Sequence, residues 1–283
     1  MRATGTWCCA TRAIRAAYCP GGADEDGERN ANTLAAFLGA DGPGHDPNAL
    51  VVCHHTALVT SEGVGCYDWG DALRAPRQRL AEWCSWHGSS MWPEPLLPLD
   101  GRADKTLPAG RGSYLIEALC SGRILGLTAD GDQHFARPGS PIGVQRWQGQ
   151  RYARHGLTAV WANELSRAAV FAALEARHCY GTTGARIWLR FDADGRTMGS
   201  VLEAGKPVRL RVEARGTTDL DRVVIHRQIG APLLEHHPAS PSFAATADVT
   251  PVAGDCFFAA VHQADGHEAI SSPIFFTAAA DTR

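Results

Sequence analysis

A chain of 283 residues with 45% hydrophobic residues has enough apolar material for one large domain or two of ordinary size. Its 27 Lys and Arg stand against 30 Asp and Glu, a formal net charge of −3, so no overall basic field exists to hold a nucleic-acid backbone or an anionic membrane. The nine cysteines are odd in number and contain no C-x-x-C, which argues against a disulfide framework and a zinc ribbon.

No stretch has the continuous apolar run of a signal peptide or a bilayer span, so a cytoplasmic location is expected. Residues 1–30 are rich in Ala, Arg, Gly and Cys without a steady period and are expected to be a poorly structured leader. Asn32 then caps a short helix through Leu34 and Leu38 that Gly39 ends. The apolar run Leu50-Val51-Val52-Cys53 reads as a buried strand leading directly into His54-His55-Thr56. Residues 79–85 (RLAEWCS) read as a second strand, followed by His87-Gly88-Ser89-Ser90 and a Pro-rich loop. Ser113 caps a helix with Tyr114, Leu115, Ala118 and Leu119 on one face, and Gly122 stops it. Residues 123–129 (RILGLTA) form a third apolar strand that runs into Gly131-Asp132-Gln133-His134.

A long loop, 135–156, precedes a helix expected over 163–178, with Leu165, Ala169, Val170, Ala173 and Leu174 at helical spacing. Helices alternating with short, fully apolar strands are the pattern of parallel βα units. After Tyr180-Gly181-Thr182-Thr183-Gly184 the period changes to two: Val208, Leu210 and Val212 alternate with Arg209, Arg211 and Glu213. Further strands are expected at 222–227, 256–262 and 273–277. Residues 31–185 are therefore expected to form an α/β unit, and 186–283 a small antiparallel β-sandwich.

Strands that end in His and Asp place potential ligands on one face, as at the active end of an α/β barrel. The segments that would converge there are His54-His55, Glu82 with His87, Asp132 with His134, and the loop Asp68-Trp69-Gly70-Asp71. Imidazoles and carboxylates together suit zinc, manganese or iron, and such a site acidifies bound water and clamps phosphoryl oxygens, which favours hydrolysis. Asp132 and His134 are the candidate catalytic pair. Arg137, three residues past His134, is placed to meet a small anionic substrate. Glu82, between Ala81 and Trp83, suits a solvated outward face as well as an inward ligand.

The segments VVCHHT, RLAEWCSWHGSS, GSYLIEALCSGRILGLTADGDQHFARPG and GLTAVWANELSRAAVFAALEARHCYGTTGARIWLRF together resemble an uncharacterised bacterial family related to the PHP (polymerase and histidinol phosphatase) metal-dependent phosphoesterases. The resemblance covers about residues 30 to 200. It implies a partial distorted βα barrel with two or three metal ions at the strand ends, and ligands among one of His54 and His55, Asp132 and His134, with Glu82 and His87 nearby. The opening H-x-H of that superfamily has no counterpart upstream of His54, where the one earlier histidine is His45. The chain thus resembles the C-terminal part of a longer protein, with strand edges that a partner chain or a second copy would cover. The expected function is a phosphoesterase-type metal-dependent hydrolase, weak or inactive alone. The alternative is a catalytically silent binding or assembly module.

Overall fold

The protein is described by a computed structural model over residues 49–54, 56–57, 69, 77–85, 88–93, 114–131, 142–143, 153–154 and 156–279. Three of the apolar runs form a small sheet. Strand β1 (Val51–Cys53) pairs in parallel with β2 (Gln78–Ser85), β2 turns back on itself through β3 (Gly88–Ser89), and helix α1 (Leu115–Cys120) leads to β4 (Gly126–Ala129), which is again parallel to β2. All four residues of β4 are buried, as expected of a strand covered on both faces. A two-stranded pair follows, β5 (Ile142–Gly143) with β6 (Ala153–Arg154).

The rest of the chain builds one large sheet. Strand β7 (Leu157–Val160), helix α2 (Arg167–Glu175) and β8 (Cys179–Thr182) lead into β9 (Trp188–Ala193), β10 (Arg196–Thr197), β11 (Val201–Glu203) and β12 (Val208–Arg227). Then come β13 (Leu234–His236), β14 (Ser240–Val249), β15 (Cys256–Gln263), β16 (Glu268–Ser271) and β17 (Ile274–Thr277). The order is β10-β9-β12-β15-β16-β8-β7, with β13 and β14 on β12, and β17 joining β15 to β11. The 20-residue β12 holds the sheet together. Residues from Val208 to Arg215 pair with β9 and β14, whereas those from Leu220 to Arg227 pair with β15, and the register shifts in between. A strand that changes partners midway carries the sheet around a curve.

Three cores follow. The main one lies between the parallel sheet and the large sheet, where Trp83, Leu127, Leu115 and Met91 meet Phe258, Ala260 and Ile270. A second fills the curve of the large sheet around Phe191, Leu210, Val223 and Phe257. The third is small: Leu50, Leu80 and Cys179 with Phe171 and Leu174 of α2.

The expected α/β class, a partial distorted βα barrel followed by a small sandwich, is corrected by this architecture. Among the described residues two helices stand against seventeen strands, and the β structure curls into a half-barrel. The physical reason lies at β4. In a barrel its outer edge would meet another parallel strand; here it meets side chains of the large sheet. Leu127 N–H donates to Ser272 Oγ at 2.9 Å, and Ala129 N–H donates to Thr158 Oγ1 at 3.0 Å while that hydroxyl donates back to the Ala129 carbonyl at 2.8 Å. With its edge groups satisfied in this way, β4 ends the parallel run.

Two smaller expectations also change. The helix expected over 163–178 is Arg167–Glu175, capped by Ser166, whose hydroxyl accepts from Ala169 N–H at 3.2 Å, and Leu165 is fully exposed. Cys120, which the apolar pattern around it would make a buried hydrophobe, is exposed, whereas Cys53 and Cys179 are buried. No helix among the described residues is long and apolar enough to cross a membrane, which says nothing of strands.

Candidate functional site at the carboxyl ends of the parallel strands

Parallel strands present their carboxyl ends together, and ligands of open α/β sheets gather there. In this chain β1 and β2 are matched Val52 to Leu80 and Cys53 to Ala81, so the residue after β1, His54, falls beside Glu82. Their side chains meet: His54 Nδ1 lies 2.8 Å from Glu82 Oε2. Glu82 is 2% exposed and His54 19% exposed. On the other side of β2, Glu82 is matched to Thr128, whose Oγ1 is buried without a hydrogen-bond partner among the described residues, as is that of Thr56, two residues past His54. Strand β4 then ends at Ala129, and Asp130 N–H donates to the Cys84 carbonyl at 2.9 Å, which fixes the start of the segment that leads to Asp132.

Of the residues expected to form the site, His54 and Glu82 are brought together. Glu82 points inward and bonds an imidazole, and so takes the inward of the two orientations left open by strand alternation. His55, His87, Asp132, His134 and Arg137 lie outside the described residues, as do Asp68 and Asp71. Among the described residues no group of three or more His, Cys, Asp and Glu side chains gathers to hold an ion. What the described part contributes is one imidazole oriented by a buried carboxylate. That is the usual support of a metal-ligating histidine: a carboxylate on one ring nitrogen fixes the tautomer and directs the other nitrogen, here Nε2, toward the ion. With the buried hydroxyl of Thr128 on the neighbouring strand, this donor set of oxygen and nitrogen suits a divalent cation of the zinc, manganese or iron type.

The large sheet adds groups that no motif announces. Strand β8 runs beside β4: the Cys179 thiol donates to the Leu127 carbonyl at 3.7 Å, and two residues on, Gly181 packs on Ala129 so closely that a Cβ there would lie 2.7 Å from the Ala129 Cβ and collide with Trp83 Nε1. Two residues further, Thr183 N–H donates to the Glu268 carbonyl at 2.9 Å, and Glu268 N–H donates to Thr183 Oγ1 at 2.9 Å. Glu268 therefore lies past the end of β4, near Asp130. The Cys84 thiol is pushed well up, first by burial and then by Glu82, Glu268 and Asp130, the groups of both sheets.

Glu268 Oε1 is 3.6 Å from His262 Nδ1, and both residues are more than nine-tenths buried. Burial pushes the Glu268 carboxyl up to about 8, against the opposing pull of Arg222, and pushes His262 down to about 4, with Arg222 adding to the effect. The pair is thus neutral at pH 7. His226, stacked on Phe258 at 5.1 Å and tilted against Trp92 at 5.2 Å, is lowered to about 4 by burial, then by Arg222 and His262. The one signal in the sequence was a His and a Glu at the ends of otherwise apolar strands, CFFAAVHQ and EAIS.

Residues 128–218 match the family described as "Protein of unknown function (DUF3604)". This corrects the expected PHP resemblance: the family matched is a different one, with no function attached to its description, and the mostly β structure does not agree with a βα barrel. An uncharacterized protein of Chlamydia pneumoniae is 47% identical over 57 residues, which is 20% of this chain and 9% of that protein. The chain thus covers a small part of the curated relative it matches. Among solved structures, an engineered protein is similar at 17% identity over 34% of this chain and 20% of its own, with a TM-score of 0.23.

Proposed function

We propose that the carboxyl ends of β1, β2 and β4 form the divalent-cation site of a hydrolase acting on a small anionic ester of the phosphoester kind. The single observation that carries this reading is the hydrogen bond from His54 to buried Glu82 at the end of parallel strands, 2.8 Å long. Asp132 and His134 follow directly on β4, two and four residues after Asp130. In this reading His54 offers Nε2, Glu82 holds the ring in place, and Asp132 and His134 complete the ligand set. His55 and His87 are close enough in sequence to the same strand ends to join it, and Arg137 meets the anionic substrate.

A bound cation would acidify water and polarise the phosphoryl oxygen. The chain's own part is to orient the imidazole, to exclude water through the packing of Trp83 and Cys84, and to hold a carboxylate where no solvent screens it. An Asp, a His and one further His suffice for one ion, whereas in-line displacement at paired ions needs more ligands. The isolated chain is therefore expected to show little phosphoesterase turnover even with added Mn or Zn. The test is elemental analysis together with a phosphoester assay on unchelated protein, with Asp132→Ala beside it. Bound metal that drops in the variant, with weak turnover, is expected. Robust turnover lost in Asp132→Ala would mean that the site is sufficient by itself, and wild-type protein without Zn, Mn or Fe would remove the hydrolase reading.

A further inference from the structure

At the opposite end of the same strands is a set of arginines with too few partners. Arg77, just before β2, is 8% exposed; its Nε donates to the Ala49 carbonyl at 2.7 Å and its Nη1 is paired with Glu175 of α2. Two residues further along each segment stand Arg79 and Arg177. No carboxylate among the described residues pairs with either, and Arg177 lies against β2 beside Arg79: a Cβ on Gly126 would meet both the Arg177 Cβ and the side chain of Leu80, the residue next to Arg79. Arg177 is 7% exposed, and its Nε donates to the Gly199 carbonyl at 3.0 Å. Its Nη1 is buried without a partner among the described residues, as are Arg79 Nε and Arg77 Nη2. Burial first, and the charge of Arg79 second, lower Arg177 to about 10.

The backbone says that this arginine is held in place. Arg177 follows the helix C-cap Ala176 and has φ 64, the left-handed conformation that is usually glycine's at this position. A side chain there costs roughly 1 kcal/mol or more. The surroundings are closed around it: a Cβ on Gly126 would lie 2.8 Å from the Arg177 Cβ, and one on Gly199 would collide with the Arg177 carbonyl. A buried guanidinium with an unanswered N–H beside a second one is unfavourable unless an anion completes it.

We propose that Arg79 and Arg177 together bind an oxyanion of the phosphate type. Guanidinium groups suit such an ion because their N–H forks match two of its oxygens at once. The site is separate from the proposed cation site: Arg79 and Glu82 are three residues apart on β2, about 10 Å along the strand. It does not rest on the hydrolase reading.

The experiment is thermal unfolding of the full, EDTA-treated chain in inorganic phosphate against chloride at equal ionic strength. Wild-type protein is expected to gain about 3 °C in Tm at ten times the dissociation constant. The gain should vanish in Arg177→Leu and in Arg79→Leu and persist in Asp132→Ala, which removes a proposed cation ligand. If Arg177→Leu fails to fold, Arg79→Leu, a less buried position, decides the matter. No phosphate-specific gain in the wild-type protein, or the same gain in the arginine variants, would overturn the proposal. A gain lost in Asp132→Ala alone would overturn it too, by moving the anion to the other end of the strands.

Discussion

The ionisable residues buried between the two sheets make a pH signature that can be worked out by sign. Glu268 has a folded pKa raised to about 8, so the stability linked to it is fully present below the ordinary Glu range and is lost as pH rises through about 8. His226 and His262 are lowered to about 4, so the stability linked to them is present above the ordinary His range and is lost as pH falls toward 4. Below about pH 6.5 two histidines outweigh one carboxyl, and above it Glu268 acts alone, which places maximal stability near pH 6.5. Urea unfolding between pH 4 and 9 should show this maximum, and Glu268→Gln should flatten the decline between pH 6.5 and 8. An unchanged decline in that variant would mean that Glu268 titrates normally. At the proposed cation site, Glu82→Gln keeps a hydrogen-bonding group of the same shape but removes the charge behind His54. It is expected to weaken metal affinity by about 10- to 100-fold, read by competition with a chelating dye, and an unchanged affinity would make Glu82 a structural partner only.

Among the elements, β8 has the tightest constraint. Gly181 lets it approach β4 and Trp83 with no room for a side chain, so Gly181→Ala should cost about 1–3 kcal/mol in chemical denaturation. A cost near zero would show that β8 slides freely on β4. Much of this level was legible in the sequence. The runs read as strands at 50–53 and 123–129 contain β1 and β4, and the run at 79–85 covers all of β2 but its first residue, because a short, continuous apolar run has few other uses. The alternation of Val208, Leu210 and Val212 lies in β12. By contrast, Leu157–Val160 and Cys179–Thr182 were not read as strands, since each is four residues long and flanks a helix whose period dominates the window. Ser240–Val249 carries Ala, Ser and Thr where a strand usually shows branched or aromatic residues, and it is half exposed, so its pairing with β12 left little mark.

At the scale of the molecule, the sequence misled on architecture. The local pattern of strand and helix suited βα units, but what β4 pairs with is set by Ser272 and Thr158, 145 and 29 residues from their partners, and no local period carries such information. Half of the site was legible for a similar reason. His54 stands at the visible end of a strand, and its contact with Glu82 follows once β1 and β2 are known to be parallel. Glu268 and His262 reach the same end only through the pairing of β8, β15 and β16. Because the main core joins both sheets, the two halves should unfold together. Phe258 lies in that core against Trp92, and Phe258→Ala is expected to cost about 3–5 kcal/mol. Calorimetry should show one transition moving down as a whole; two transitions, with the parallel sheet unaffected, would mean that the sheets are independent.

Whether His54, held by Glu82, shares one cation with Asp132 and His134 is decided by the metal content of purified, unchelated protein. The measurement compares the wild-type chain with His54→Ala and Asp132→Ala, each checked for folding by circular dichroism. The prediction is Zn, Mn or Fe bound in the wild type and a marked loss in both folded variants. Equal metal content in all three, or none in the wild type, would contradict it.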